Sequence, residues 1–526
     1  MNDAIRACYA PLVVACVTAA TMACGEVARP AASGINLSDV ATPLQDLPVR
    51  PREQHFKDVS DVIPEFAGYF IDDGRLVAIL TDLTQAPATR TVLAATVQRL
   101  RYDIPSLALD VVVRKGDYTF EQLRVWRDRI YQRWPDGMVL LDLDEGENRV
   151  EVGIDNERSR SAIMEGLQQL GVPALAVQVR VATLGSSKAN ARRHVSMPQS
   201  VEGTLRDTVR PLLGGTAIRL GNGGCTLGFL AEWAGTDALV TSSHCTIVDW
   251  ALDSTTVHQP VGTGSPIEVG FEVHDPNGVT CGGDLCRASD AAVIKVPTVS
   301  SDLGYIARTI GTPPDGYGAT GSITIDAANP KIAIVGKDYG PPEGITVHKL
   351  GAWGGWTTGT LVRTCIDVRW TDPTPYHRRN CQDAARYGAV DGDSGALIFK
   401  YGAGQATVLG LHWKAVDSEQ FSVYSPILEI EADLGYFEVR GNTPLSVGVT
   451  QLALVPEGVS CTWEAMVSGG TPPYAYQWSG LFTGSGPSVS GVVEQNGTLY
   501  LTVTDAANDQ GSDQIYVEID PDTWDC

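Results

Sequence analysis

The amino-acid sequence predicts a multidomain protein: an α/β module first, a glycine-rich all-β body next, and a short strand-patterned segment at the end. Three observations predict this order. Between Phe66 and Val181 the apolar residues switch between a period of two and a helical period. From Leu212 to Leu434 the apolar runs are short and separated by glycine, and beyond Gly441 alternating runs are broken by turn residues. A length of 526 residues suits several domains, and a hydrophobic fraction of 43% is enough for ordinary cores.

The first element, residues 1–24, reads as a secretory signal. Met1 to Ala7 holds one arginine, and Cys8 to Cys24 is an Ala- and Val-rich stretch too short and too weakly hydrophobic for a membrane span. Ala23-Cys24-Gly25 is similar to the end of a bacterial lipoprotein signal, which makes Cys24 a candidate lipidation site and a lipid anchor the one expected route to a membrane. Thr21, where an aliphatic residue is usual, and the acidic Asp3 weigh against lipidation. The expected location is secreted or at a bacterial cell surface, with a periplasmic or outer-membrane lipoprotein as the lipidated variant. Residues 25–60, with Arg29-Pro30-Ala31-Ala32-Ser33-Gly34 and Pro48-Val49-Arg50-Pro51, read as a flexible lead-in.

Residues 61–184 read as the α/β module. Phe66 to Ile71 and Arg75 to Leu80 flank Asp72-Asp73-Gly74, a hairpin signal. Leu107 to Val113 is strand-like, and Phe120, Leu123, Ile130 and Trp134 make the buried stripe of a helix. Met138 to Leu143 and Arg149 to Ile154 are strands, a helix carries Ile163, Leu167 and Leu170, and Ala174 to Val181 is a strand. That order, β-α-β-β-α-β, is the order of a split βαβ unit. Residues 185–210 read as a polar linker, where Arg192-Arg193 marks a place for proteolytic processing.

The all-β body, residues 211–438, carries the chemistry. Gly392-Asp393-Ser394-Gly395 is the shape of a turn that exposes one hydroxyl beside free backbone N–H groups, so Ser394 is the candidate nucleophile. A serine is weak at neutral pH and needs a base and a carboxylate that orients it. His244 stands where the apolar run Ala238-Leu239-Val240 meets Ser242, Ser243 and Cys245; Asp290 stands in Ser289-Asp290-Ala291-Ala292-Val293-Ile294 among small and apolar neighbours. Asp284 is the reserve acid. As isolated motifs, a Gly-Asp-Ser-Gly turn, a lone histidine and an aspartate before a strand are all ordinary structural features; their combination in the order His, Asp, Ser carries the argument.

On these residues the chain resembles the chymotrypsin-fold serine peptidases, in the secreted bacterial branch that includes α-lytic protease and the streptogrisins. The order excludes subtilisin-type and α/β-hydrolase triads. The resemblance implies a double β-barrel, with His244 and Asp290 in the first barrel and Ser394 in the second, and an oxyanion hole from the N–H groups of Gly392 and Ser394. It places a specificity pocket at Gly388, Ala389, Val390 and Asp391 with His412 nearby, and makes Leu409 to Trp413 the edge strand that pairs with a substrate backbone. No acid stands at the pocket base, which disfavours strict Arg or Lys preference and leaves an apolar preference as the expectation. Ala396 departs from the family, which usually has a second glycine there.

Of 11 cysteines, Cys8, Cys16 and Cys24 fall in the signal and eight remain, a set with 105 possible pairings. The resemblance implies Cys225 with Cys245 and points to Cys365 with Cys381 near the pocket. Cys281 with Cys286 would close a short loop, and Cys461 with Cys526 would clasp the C-terminal domain. Neither a metal site nor a cofactor is expected. The net charge of -23 argues against nucleic acid as a partner. Tyr118 to Leu123 and Leu141 to Val150 resemble segments of the family's pro-regions, which implies that the α/β module assists folding and inhibits its own peptidase; a permanently attached α/β domain is the plainer alternative. Residues 439–526 resemble the immunoglobulin-like, PKD-type β-sandwiches of secreted bacterial hydrolases, with Trp463, Tyr474, Tyr476 and Trp478 as core aromatics. The implied function is a secreted serine endopeptidase acting on proteins or peptides. The alternative is an inactive homologue that binds peptides or serves as a surface adhesin.

Overall fold

The computed structural model describes residues 47–521 except 105, 183–202, 222, 262–264, 298, 371–375, 440–444, 451, 469, 471–472 and 506–509, together with 523 and 526. The signal segment, Cys24, most of the lead-in and the stretch with Arg192-Arg193 lie outside the described residues.

The α/β module begins earlier than the sequence pattern placed it. The end of the expected lead-in forms a 3-10 turn (Pro51–Glu53) and helix α1 (Gln54–Val62), with Pro51 at the first turn where its missing N–H costs nothing. Phe56 and Val59 enter the module core. Arg52 and Glu53 are buried because each has a distant partner: Arg52 Nη2 lies 2.6 Å from Asp383, and Arg127 Nη1 lies 2.6 Å from Glu53. Charges and prolines that look like a solvated tail are therefore anchors.

Strands β1 (Phe66–Asp72) and β2 (Arg75–Leu80) form the expected hairpin, with Asp73 and Gly74 at φ 47° and 66°. Helix α2 (Ala86–Asp103), which the pattern did not reveal, provides the crossover that brings β3 (Val111–Lys115) parallel to β2. Helix α3 (Phe120–Arg133) opens on a reciprocal capping box between Thr119 and Gln122 and buries Phe120, Leu123 and Ile130. Strands β4 (Met138–Asp144) and β5 (Arg149–Ile154) form a second hairpin; helix α4 (Arg160–Gln169) returns β6 (Val177–Val181) parallel to β5. The split-βαβ expectation is corrected in its pairing. Because α2 returns β3 to β2, the module consists of two three-stranded units, each a hairpin, a helix and a parallel strand.

In the body, β7 (Leu212–Gly214) leads to β8 (Ala217–Leu220), β9 (Gly223–Thr226), β10 (Phe229–Trp233), β11 (Thr236–Thr241), β12 (Thr256–Gln259) and β13 (Ile267–His274). After the short strands β14 (Val279–Cys281) and β15 (Asp284–Arg287) comes β16 (Ala292–Lys295). The pairing order is β10-β11-β16-β13-β12-β8-β9. Only Leu227 and Gly228 separate β9 from β10, so these two are one bent strand and the chain itself closes the ring.

Strands β17 (Ser301–Ala307) and β18 (Lys331–Lys337) follow, then β19 (Thr346–Gly351), β20 (Gly355–Trp370), β21 (His377–Ala385), β22 (Leu397–Gly402), β23 (Gln405–Val416) and β24 (Phe421–Pro426). The ring β19-β20-β21-β24-β23-β22 closes through pairing of β22 with β19. Helix α5 (Ile427–Leu434) packs its apolar face on the core. The apolar run Ile323 to Ile325 makes only isolated bridges, Thr204 with Thr324 and Thr309 with Ile325. That contact also corrects the linker: residues 203–210 are packed on the body, Leu205 is fully buried, and Arg206 Nε donates to Ala352 O at 3.0 Å.

The module is joined to the second ring by main-chain pairing, Leu141 with Asp367 and Leu140 with Val368, so β4-β5-β6 extends the sheet of β20. Arg363 on β20 lies 3.0 Å from Asp142, 3.0 Å from Asp144 and 3.1 Å from Glu151 of the module. Arg50 bonds both carboxylate oxygens of Asp367, at 3.1 and 2.7 Å.

The C-terminal segment forms a sheet of Ser446–Val449, Ser460–Ser468 and Ser488–Val492 and a second of Leu454–Val455, Gln510–Ile519, Gly497–Thr504 and Ala475–Gly480. Trp463 and Trp478 lie buried in their core, and each indole N–H reaches a backbone carbonyl, of Leu452 and Gly486. Tyr474 and Tyr476 pack half-buried against it.

Candidate active site

His244 is delivered by β11, whose Ala238, Leu239 and Val240 are buried in the cores on its two sides. The strand ends at Thr241, and a 3-10 turn, Ser243–Cys245, presents the imidazole. A disulfide from Cys245 to Cys225 ties that turn to β9. Asp290 precedes β16, and the pairing of Thr241 with Ala292 sets it beside the histidine turn. Asp290 is wholly buried; its backbone N–H donates to Ser425 Oγ at 2.9 Å.

Ser394 lies in the tight loop before β22. His244 Nε2 is 2.8 Å from Ser394 Oγ, and His244 Nδ1 is 2.5 Å from Asp290 Oδ2. The hydroxyl, the imidazole and the carboxylate are thus aligned across the seam of the two rings, 150 residues apart from nucleophile to base. This is the arrangement in which an imidazole takes a hydroxyl proton and a buried carboxylate holds the tautomer.

The loop geometry leaves two donors free. Gly392 has φ +94°, and a Cβ there would stand 2.6 Å from the Trp353 ring, so the position requires glycine twice over. The N–H groups of Gly392 and Ser394 donate to no described residue, while Asp393 N–H bonds Val390 O and Gly395 N–H bonds His412 O. Two unbonded N–H groups beside a hydroxyl are the donors that an anion cradle requires.

Asp393 fixes this loop from beneath. Oδ1 accepts from the N–H groups of Trp353 at 3.0 Å and Gly354 at 2.9 Å, and Oδ2 lies 2.7 Å from Lys349 Nζ. Both side chains of that ion pair are fully buried. Burial pushes the Asp393 carboxyl up, but Lys349 and the backbone donors prevail and hold it below its usual value. The loop is thus held from inside the body by a buried lysine.

The expected pocket residues differ in exposure. Val390 and Asp391 are exposed, Ala389 is half-buried, and Gly388 is pressed against Ala319. His412 is buried with Nδ1 3.0 Å from Tyr387 Oη, and burial pulls its pKa down to about 3, leaving it neutral. The edge-strand expectation is corrected. Leu411 pairs on both sides, with Leu397 and Ser425, so the open edge of β23 starts only after His412. Lys414, on that edge, sits with its amine 4.3 Å from the Trp370 ring centre, and burial pulls it down to about 8.

The remaining cysteines join as Cys281–Cys286, Cys365–Cys381 and Cys461–Cys526. Cys365–Cys381 lies at the junction with the α/β module, where Arg50 reaches Cys365 O, because β20 and β21 meet there beside Asp367. The expectation of a place near the pocket is corrected. Asp284, the reserve acid, is occupied by Arg369 at 2.7 Å and is not among the partners of His244. Ala396 is fully buried behind the nucleophile. Among the described residues no cluster could hold a metal ion, and no helix is long and apolar enough to cross a membrane.

Two residues of the site escaped the sequence pattern: Lys349, and Arg379, whose Nη2 lies 3.1 Å from Asp290 Oδ1. Each meets its partner through the closed second ring, 44 and 89 residues away in sequence, so no local motif announces them.

No family model and no curated protein matches the chain. Among solved structures, the chain is similar to a glutamic-acid-specific serine protease that uses a histidine triad in substrate binding, at 18% identity over 43% of this chain and 100% of that one, with a TM-score of 0.30. An α-lytic protease homologue gives 17% identity, 43% and 98% coverage, and a TM-score of 0.30. A protease of murine norovirus gives 11% identity, 38% and 91% coverage, and a TM-score of 0.20.

Proposed function

We propose that this protein is a secreted serine endopeptidase that hydrolyses peptide bonds through Ser394, His244 and Asp290. The observation that carries the proposal is the unbroken contact from Asp290 Oδ2 through both ring nitrogens of His244 to Ser394 Oγ. Ser394 Oγ attacks the scissile carbonyl carbon as His244 Nε2 takes its proton, and the carbonyl oxygen becomes an oxyanion held by the N–H groups of Gly392 and Ser394. His244 then protonates the leaving amine and the acyl-enzyme forms. Water, deprotonated by the same imidazole, releases the acid and restores Ser394. Asp290 stays ionised throughout and stabilises the imidazolium.

The body is read as the double-barrel peptidase domain of the chymotrypsin type. The pocket is assigned to Gly388, Ala389, Val390, Asp391 and His412. The α/β module is read as a pro-region that assists folding and blocks its own peptidase until removed; its continuous sheet with β20 and its buried ion pairs support a docked role. The C-terminal sandwich is read as a spacer or adhesive module of immunoglobulin-like, PKD-type form. Four disulfides fit an oxidising compartment outside the cytoplasm.

A fluorophosphonate probe tests the activity. Covalent labelling that disappears in Ser394→Ala is the expected result. A folded chain that takes no label in any processed form belongs instead to the non-catalytic peptide binders.

A further inference from the structure

The second oxygen of Asp290 is not left to solvent. Oδ1 receives Arg379 Nη2 at 3.1 Å and the backbone N–H of His244 at 3.3 Å. Arg379 comes from β21 of the second ring, whereas Asp290 belongs to the first, so the contact spans the seam that also brings Ser394 to His244. Its side chain is 3% exposed and its guanidinium lies against two rings, 4.9 Å from the centre of Trp250 and 4.5 Å from that of Trp413. A planar cation buried against two rings has little freedom to leave the carboxylate it meets.

A buried carboxylate with only a neutral imidazole for a partner would tend to take up a proton, because burial penalises its charge. Burial does push Asp290 up, but Arg379 and His244 overcome it and hold Asp290 far below the usual carboxylate range. Arg379 thus supplies in the resting site the compensation that the imidazolium supplies during reaction.

Resting on the triad reading above, we propose that Arg379 is a positioning residue: from the second ring it holds Asp290 ionised and oriented toward His244 across the seam. The other charged groups around the pair are themselves paired. Asp249 Oδ2 lies 3.7 Å from Arg379 and 3.1 Å from His377 Nδ1. Asp275 lies 2.5 Å from Arg287, which also meets Asp433 at 3.0 Å, while Ser243 Oγ bonds Asp275 Oδ2. On the nucleophile side, neutral His412 stands near the Lys349–Asp393 pair, with Lys414 beyond it. Removing Arg379 leaves Asp290 without its cation, so that its charge then favours the imidazolium.

The test is the rate of fluorophosphonate labelling of Ser394 against pH in the full chain as it is expressed and processed. The acid limb of the wild-type profile is the reference. In Arg379→Gln it should move up by about one pH unit, the scale of one nearby charge in a partly screened interior. In Arg379→Lys it should stay near the wild-type position even if the maximal rate falls. An acid limb unmoved in folded Arg379→Gln overturns the proposal, since a purely structural role would change the rate and not the pH midpoint. Failure of the wild-type chain to label at any pH, or labelling away from Ser394, would instead remove the triad reading itself.

Discussion

Glu343 faces the α/β module from the loop before β19, and its replacement by glutamine changes one ionisable group at a seam crowded with carboxyls. Asp142, Asp144 and Glu151 of the module converge there on the single guanidinium of Arg363, while Glu145 and Glu343 line a small cavity with Arg52, His55 and Tyr69. Burial pushes Glu343 up to about 8, with Asp144 and Asp383 adding to the rise and Arg363 opposing it. Burial raises Glu145 and Asp142 well above their usual values too. An acid raised in the docked state is neutral there and ionises when the seam opens. Its contribution is therefore whole below the open-state value of 4.5 and is lost as pH rises to about 8.

The slope is about 1.4 kcal/mol per pH unit for one proton, so the loss across the interval is bounded at roughly 4–5 kcal/mol, and sharing of the proton with Glu145 makes it smaller. The assay is native-state hydrogen exchange of those amides of β4 and β20 that bond across the Leu140–Val368 and Leu141–Asp367 pairs, with intrinsic rates corrected for pH. Wild-type protein should lose opening free energy relative to Glu343→Gln from pH 5 to 8, the two nearly coinciding at the acid end. Parallel curves for the two proteins would refute the account of the seam.

Other substitutions bear on the site. Ser394→Ala should leave the fold intact and abolish peptide hydrolysis. Asp290→Asn should reduce the acylation rate about 10⁴-fold by stabilising the wrong imidazole tautomer, read by stopped-flow with a peptide ester. Lys349→Met should cost about 3–5 kcal/mol by leaving Asp393 buried and unpaired, read as a shift in the urea midpoint. Gly392→Ala should retain secondary structure by circular dichroism but lose at least about a hundredfold in turnover, because the added methyl meets Trp353 and turns the N–H from the oxyanion.

The strands that carry His244 and Asp290, and the loop that carries Ser394, were legible because each is a short local pattern: an apolar run entering small residues, an aspartate before a buried strand, a glycine-flanked turn. The hairpins of the module were legible for the same reason. What the sequence concealed was partnership. Arg52 and Glu53 look like tail residues until Asp383 and Arg127 are placed beside them. Helix α2 has a weak apolar stripe, although Leu93, Val97 and Leu100 lie in the core. Arg379 has no local signal, because only closure of the second ring brings it to an aspartate 89 residues earlier. The open edge of β23 also depends on where its pairing with β22 stops, a matter of register that alternation cannot reveal.

The central claim is that one hydroxyl becomes acylated by substrate. Rapid-quench mixing with an activated peptide ester, followed by mass mapping of the trapped chain, measures this directly. The account predicts a burst approaching one acyl group per active chain, carried on Ser394 and absent from His244→Ala; an acyl group on another residue, or ester turnover with no covalent species under acid quench, would contradict it.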